Sequence, residues 1–347
     1  MTMFAVSVTQ QHTLEIVQVP KPVPGAYQAL VKTEAACLCN MTDRKLIEGK
    51  FPGVEQYPLL LGHETVGIVE AVGEKVRHFK VGDRVVGGLV LASPDPAYGS
   101  GWGGFCEYTL AGDHRAMIED GAADPAHGWF EVYEIMRVVP PSIGIEDAVM
   151  LCTWREVYGA FGDFSLKAGD DIIIYGGGPV GLSFAKFGRL LGLGSIYLVD
   201  KWAHKREKAL AMGATAAFAP DDPALADLLR ARRGTFDAVI DAVGTEAIIN
   251  GALPLVKMGG SICIYGVIDT PTIRLDKAAA PLNFNLLVHQ WPTRSREHDA
   301  QEPLIEWIQA GKLSYREFIS AEYPIRQIRE AYETAQQTKA VKTLLRY

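Results

Sequence analysis

Ile172-Ile173-Ile174-Tyr175-Gly176-Gly177-Gly178-Pro179-Val180-Gly181 is an apolar run that ends in G-x-G-x-x-G and passes into the helical stretch Val180 to Leu191. A strand feeding a glycine-rich turn and then a helix is the arrangement that receives a dinucleotide pyrophosphate. Glycine at Gly176, Gly178 and Gly181 allows a tight turn, a close backbone approach and close helix packing, while Pro179 and Val180 open the helix whose N–H groups face the phosphates. Asp200 closes the next apolar run, Ser195 to Asp200, where a carboxylate hydrogen-bonds an adenosine ribose diol. That carboxylate repels a 2′-phosphate, so NAD is expected over NADP. Lys201, Lys205 and Arg206 stand beside it, either softening the repulsion or simply beginning a solvated helix.

Downstream of this site, apolar runs alternate with helical patterns: Lys205 to Met212, Ala224 to Arg232, Phe236 to Asp241, Ile248 to Val256 and Ser261 to Val267. This rhythm predicts βαβ units and a parallel sheet. Upstream, residues 1 to about 150 show short β-rich runs cut by Gly and Pro: Thr13 to Val19, Ala29 to Ala35, Thr65 to Val72 and Arg84 to Leu89. Two stretches read as long loops, Val90 to Gly104 and Gly112 to His127. The tail has helical patterning over Glu302 to Ala310 and Ile325 to Gln337, with Val341 to Arg346 ending as a strand, and its place is not set by pattern.

The chain has 347 residues, 48% of them hydrophobic and 22% charged, which suits two globular domains and excludes a disordered or low-complexity protein. A formal net charge of -7 gives no broad cationic surface, so nucleic acid is not an expected partner. No signal peptide or long apolar span is evident, and membrane association is not expected. Five cysteines, an odd and sparse number, predict reduced thiols and a cytoplasmic location.

Some of those thiols belong to a candidate metal set: Cys39 ahead of Thr42-Asp43, His63 in Gly62-His63-Glu64, and Cys152 just before the sheet domain. Zinc favours thiolate and imidazole, and three protein ligands leave a fourth position for water or substrate. Singly, Cys39 reads equally well as a small buried hydrophobe and His63 as a turn histidine.

Pro58-Leu-Leu-Leu-Gly-His-Glu-Thr-Val-Gly-Ile-Val-Glu-Ala-Val-Gly73, followed by Phe79-Lys-Val-Gly-Asp-Arg-Val85, resembles the signature of the zinc-containing medium-chain alcohol dehydrogenases. Val19-Pro20-Lys21-Pro22, Gly103-Gly104-Phe105-Cys106-Glu107-Tyr108, the glycine fingerprint and Phe236-Asp-Ala-Val-Ile-Asp-Ala-Val-Gly244 follow in the family's order. The resemblance implies an α/β fold with a Rossmann doubly wound parallel sheet domain plus a GroES-like β-barrel catalytic domain. The Rossmann domain would be inserted at 154–288 between 1–153 and the returning 289–347.

It further implies one catalytic zinc on Cys39, His63 and Cys152, with Glu64 able to exchange into the shell and Asp43 orienting His63. Glu156 is an acidic competitor for the third ligand position or a substrate contact. Thr42 falls where the family has a hydroxyl on the substrate oxygen, and Lys45 where many relatives place a relay histidine, a position equally suited to a solvated lysine. Val243 lies in the segment that meets the cofactor, and Lys342 matches a basic residue on its pyrophosphate. The chain departs from the family in having an extra residue in Cys39-Asn40-Met41-Thr42-Asp43 and no cysteine cluster between Val90 and Gly104. A second zinc is therefore not expected.

The reaction so implied is hydride transfer between NAD and a secondary alcohol or ketone, with polyol, sugar and cyclitol substrates favoured. Arg155 and His289 join Lys45 and Glu156 as candidates to hold hydroxyls. The alternatives are an NADPH-dependent zinc carbonyl reductase and a non-catalytic nucleotide-binding sensor on the same fold. A homodimer or homotetramer is expected, paired through Ser261 to Val267 and Asn283 to Val288. Between Tyr108 and Pro140 an insertion containing His127-Gly-Trp-Phe-Glu-Val-Tyr133 reads as a local aromatic core, a pocket wall or an oligomer contact.

Overall fold

A computed structural model describes residues 1–268, 270–337 and 340–347. The chain divides into two compact units, Met1–Cys152 with Gln301–Tyr347, and Thr153–Ala300. The outgoing boundary falls inside the long helix Ile145–Asp163. The return comes at 300 and not at 288, because the strand Asn285–Val288 still belongs to the parallel sheet and the helix Arg294–Gln309 follows it.

In the second unit the described strands form one parallel sheet in the spatial order Ala216–Phe218, Ile196–Val199, Ile172–Tyr175, Phe236–Asp241, Val256–Ile264, Asn285–Val288. Counted along the chain this is the doubly wound order 3-2-1-4-5-6, in which ligands bind beyond the carboxyl ends of the strands. The central strands are nearly continuous apolar runs because both faces are covered. Ile173, Val239, Phe236 and Ile262 are buried in one apolar cluster of this unit.

The first unit contains a four-stranded and a seven-stranded sheet, largely antiparallel. The second of these decides where the chemistry sits. The strand Gln28–Leu38 pairs on one side with Thr65–Val72, with Ala36 opposite Thr65, and on the other with Lys342–Arg346, with Leu38 opposite Thr343. Three strand ends therefore bring Cys39, Glu64 and Lys342 to one edge, and the unplaced tail is explained as the strand that completes this sheet.

The stretch Gly112 to His127, expected to be a loop, holds the helix His114–Glu119 and a 3-10 turn at Pro125–His127. The helix is too short for its periodicity to register in the sequence and is fixed by Asp113. This buried carboxylate accepts from the backbone N–H groups of Ala116, Arg77 and His78 at 2.9, 2.7 and 2.8 Å, and meets His78 Nδ1 at 2.9 Å. In the following insertion Tyr133 is buried among Ala29, Val31 and Met117, and Trp129 Nε1 donates to His114 Nδ1 at 3.0 Å. Its aromatics are thus largely a local core.

Burial alone would raise the Asp113 pKa, but the N–H groups of His78, Ala116 and Arg77 outweigh it and hold the carboxyl below its ordinary range. The carboxylate's contribution is present above the unfolded value near pH ~4 and is lost as acid titrates the folded group. Asp113→Ala is expected to cost about 2 kcal/mol, the sum of a lost cap and orphaned buried donors. Chemical denaturation at neutral pH measures it, and the difference from wild type should shrink toward pH ~3.

Candidate active site

Cys39 follows the strand Gln28–Leu38, and the short helix Thr42–Ile47 begins three residues later. Asp43, with no solvent exposure, binds the turn together: its Oδ2 accepts from Cys39 N at 2.8 Å, and Asn40 Nδ2 donates to the Val341 carbonyl at 3.2 Å. The extra residue is absorbed here, with the side chain of Met41 left outside at 36% exposure. Asp43 Oδ1 lies 3.2 Å from His63 Nδ1, and His63 Nε2 lies 3.9 Å from Glu64 Oε1.

The ligand atoms of Cys39, His63 and Glu64 all fall within 4.8 Å of one another. A thiol, an imidazole and a carboxylate suit zinc chemically. The surrounding field also favours positive charge. Burial alone would lower the His63 pKa, yet Asp43 and Cys39 outweigh it and raise it well above the ordinary value. His63 Nδ1 and Asp43 Oδ1 are buried and close without an aligned hydrogen bond, which leaves room for a small adjustment when an ion is taken up. By donor type and field, the residues fit a zinc ion.

Cys152, the expected third ligand, lies outside this group. It is buried, and its Sγ is 3.6 Å from the carbonyl of Thr65, the residue after Glu64. Glu64 takes its place in the cluster. Lys342, expected on a pyrophosphate, is almost fully buried with Nζ 2.6 Å from Glu64 Oε1. Its pKa, which burial would lower, is raised by Glu64, Cys39 and Cys37. Thr42 begins the short helix, and Lys45 is buried at 8% exposure, which removes the reading of a solvated lysine.

The fingerprint of the second unit stands at the carboxyl end of Ile172–Tyr175. Gly176 has φ +102°, and a Cβ on Gly181 would lie 1.8 Å from the Gly176 carbonyl, so both positions demand glycine. Pro179 and Val180 start the helix Pro179–Leu190, with Gly178 at its cap. Asp200 Oδ2 accepts from Gly177 N at 2.7 Å and its Oδ1 from Trp202 N at 2.8 Å. Lys201 places its ammonium 5.2 Å from the Trp202 ring centre, and Arg206 donates to the Asp200 and Lys201 carbonyls at 2.9 and 3.0 Å. Val243 is 38% exposed beside Gly176.

Reading the sequence missed Asp241. Fully buried, it accepts from the N–H groups of Val243, Gly244 and Thr245 at 2.9, 2.8 and 3.0 Å and so shapes the turn beside the fingerprint. The available signal was an Asp at the end of an apolar strand. Glu156 lies on the second-unit part of its helix, where Tyr265 donates to it at 3.4 Å. Arg155 is buried, and His289 is held 3.1 Å from Asp163 Oδ2 and stacked on Tyr265 at 5.4 Å. No described helix is long and apolar enough to cross a membrane.

Residues 25–120 match the alcohol dehydrogenase GroES-like domain, and residues 179–310 match the zinc-binding dehydrogenase domain. An alcohol dehydrogenase of a Moraxella species is 29% identical over 94% of each chain. A sorbitol dehydrogenase of Bacillus subtilis is 27% identical, covering 94% of this chain and 91% of the relative. The alcohol dehydrogenase TADH from Thermus sp. ATN1 superimposes with a TM-score of 0.79 at 24% identity, covering 99% of this chain and 100% of the other. The chain belongs to the medium-chain, zinc-binding alcohol dehydrogenase superfamily and is an NAD(P)-linked oxidoreductase.

Proposed function

We propose that the protein is a zinc-dependent, NAD-linked dehydrogenase of secondary alcohols carried on polyol, sugar or cyclitol-like substrates. The observation that carries this reading is the convergence of Cys39, His63 and Glu64 within 4.8 Å in a chain that also has the glycine fingerprint. Those residues would hold the zinc, with Cys152 close by as a further thiol. When bound, the ion supplies a Lewis acid that lowers the pKa of an alcohol hydroxyl toward neutrality.

The protein's own residues have separate tasks. Asp43 would hold the His63 ring from its Nδ1 side, leaving Nε2 as the nitrogen available to the ion. Lys342 holds Glu64, limiting how far that carboxylate moves. Thr42 accepts the alcohol proton as it gives up its own toward solvent, and the buried Lys45, three residues on in the same helix, adds positive charge beside that path. NAD, when bound, would supply the hydride acceptor that turns the secondary alcohol into a ketone. Asp200 binds the adenosine ribose diol, and the helix Pro179–Leu190 faces the pyrophosphate with its N-terminus.

Of the two runs expected to pair subunits, the strand holding Ser261 to Ile264 is interior to the sheet, whereas the outer strand Asn285–Val288 has no further partner among the described strands, with Val288 55% exposed, and supports the expected dimer or tetramer.

Metal analysis of protein purified without added zinc should give about one ion per chain. NADH formation across sugars, polyols, cyclitols and plain alcohols should favour the hydroxyl-rich compounds. Cys39→Ala and His63→Ala should each lose the metal and at least ~100-fold in kcat/KM, and full turnover by folded Cys39→Ala would refute the scheme. Asp200→Ala should weaken NAD binding by roughly tenfold and narrow its advantage over NADP, read by NADH fluorescence titration.

A further inference from the structure

Trp102 stands in the glycine-rich run Gly99-Ser100-Gly101-Trp102-Gly103-Gly104 with φ +66°, a left-handed conformation that a bulky side chain seldom adopts. The backbone is pinned on both sides of it. Gly101 N and Gly103 N donate to the same Leu60 carbonyl at 2.7 and 3.2 Å, and the Trp102 carbonyl accepts from Val90 N at 2.9 Å. In this conformation the half-buried indole sits edge-on to Phe51 at 5.4 Å and tilted over the His63 imidazole at 5.5 Å. Glycine would adopt the same backbone without strain, so the side chain is what the strain serves.

An aromatic face beside a metal-binding histidine has a chemical consequence. The π-face is electron-rich and attracts the hydrogens of carbons that bear oxygen, which are positively polarised. A ring alcohol presents the hydrogens of its carbinol carbon and of the neighbouring ring carbons together on one flat face, whereas a short open chain presents few. We infer that Trp102 is the specificity-determining wall of the Cys39–His63–Glu64 site: its indole, lying over the His63 ring, receives the C–H face of a cyclic, oxygen-bearing substrate. The inference rests on the metal-dependent alcohol oxidation proposed above and names the shape of alcohol that the site selects.

The test uses the zinc-loaded enzyme, Trp102→Leu and Trp102→Phe, with cyclohexanol and 2-propanol as paired substrates and NAD as acceptor. Trp102→Leu should lower kcat/KM for cyclohexanol by roughly three- to tenfold, mostly through KM, and change 2-propanol less than about twofold. Trp102→Phe should restore most of the difference. Equal losses on both alcohols, or none on either, would overturn the inference.

A second measurement does not depend on turnover or on the leucine variant folding. Cobalt(II) added to metal-free protein should quench part of the tryptophan emission, and that part should be missing in Trp102→Phe. Equal quenching in both proteins overturns the placement of Trp102. Absence of any one-to-one cobalt binding that Cys39→Ala abolishes overturns the metal-dependent reading instead.

Discussion

The carboxylate of Asp43 is the point on which the edge bearing Cys39, His63 and Glu64 depends. It is wholly removed from solvent; one oxygen accepts from the backbone of Cys39, and the other lies 3.2 Å from the ring of His63 without an aligned hydrogen bond. A buried charge is tolerated only when neighbours compensate it. Here the compensation comes from the two residues that bear ligand atoms, so the requirement to satisfy Asp43 also fixes their relative positions. The helix Thr42–Ile47 supplies the geometry, because it starts one residue before Asp43 and turns its side chain back toward the loop.

In the second unit the governing constraint is strand polarity. All strands described in that sheet run parallel, so the turns that follow Ile172–Tyr175, Ile196–Val199 and Phe236–Asp241 open at the same end. Each turn carries one element of the proposed dinucleotide site: the glycines, Asp200 and the loop shaped by Asp241. Asp200 illustrates the economy of this arrangement. Its carboxylate already accepts from Gly177 N and Trp202 N, so it is oriented by the fingerprint that it serves.

Much of this was legible because it is local. Period, glycine spacing and the Asp closing a strand reveal the sheet domain, and Phe236–Asp241 matches the expected run residue for residue. The long-range pairings were not legible. Lys342 and Glu64 are neighbours only because two strands, distant in sequence, flank Gln28–Leu38, and no local pattern records that. The same holds for Asp113, two of whose partners, Arg77 and His78, lie in a different segment. The direction of the Cys152 thiol is likewise set by its position on the helix Ile145–Asp163, which chain order does not record.

The Glu64–Lys342 pair gives the site its charge balance. A buried ion pair repays its desolvation only with good geometry, and at 2.6 Å this one has it. Without the ammonium, Asp43, Glu64 and an ionised Cys39 would place three negative charges around His63. With it, Glu64 is neutralised locally, and the remaining field comes from Asp43 and Cys39, the same groups that raise the His63 pKa. A site that favours a proton on imidazole so strongly also favours a cation in the proton's place. The lysine therefore acts on this edge from outside the proposed ligand set, by reducing the negative charge that a bound dication would have to match.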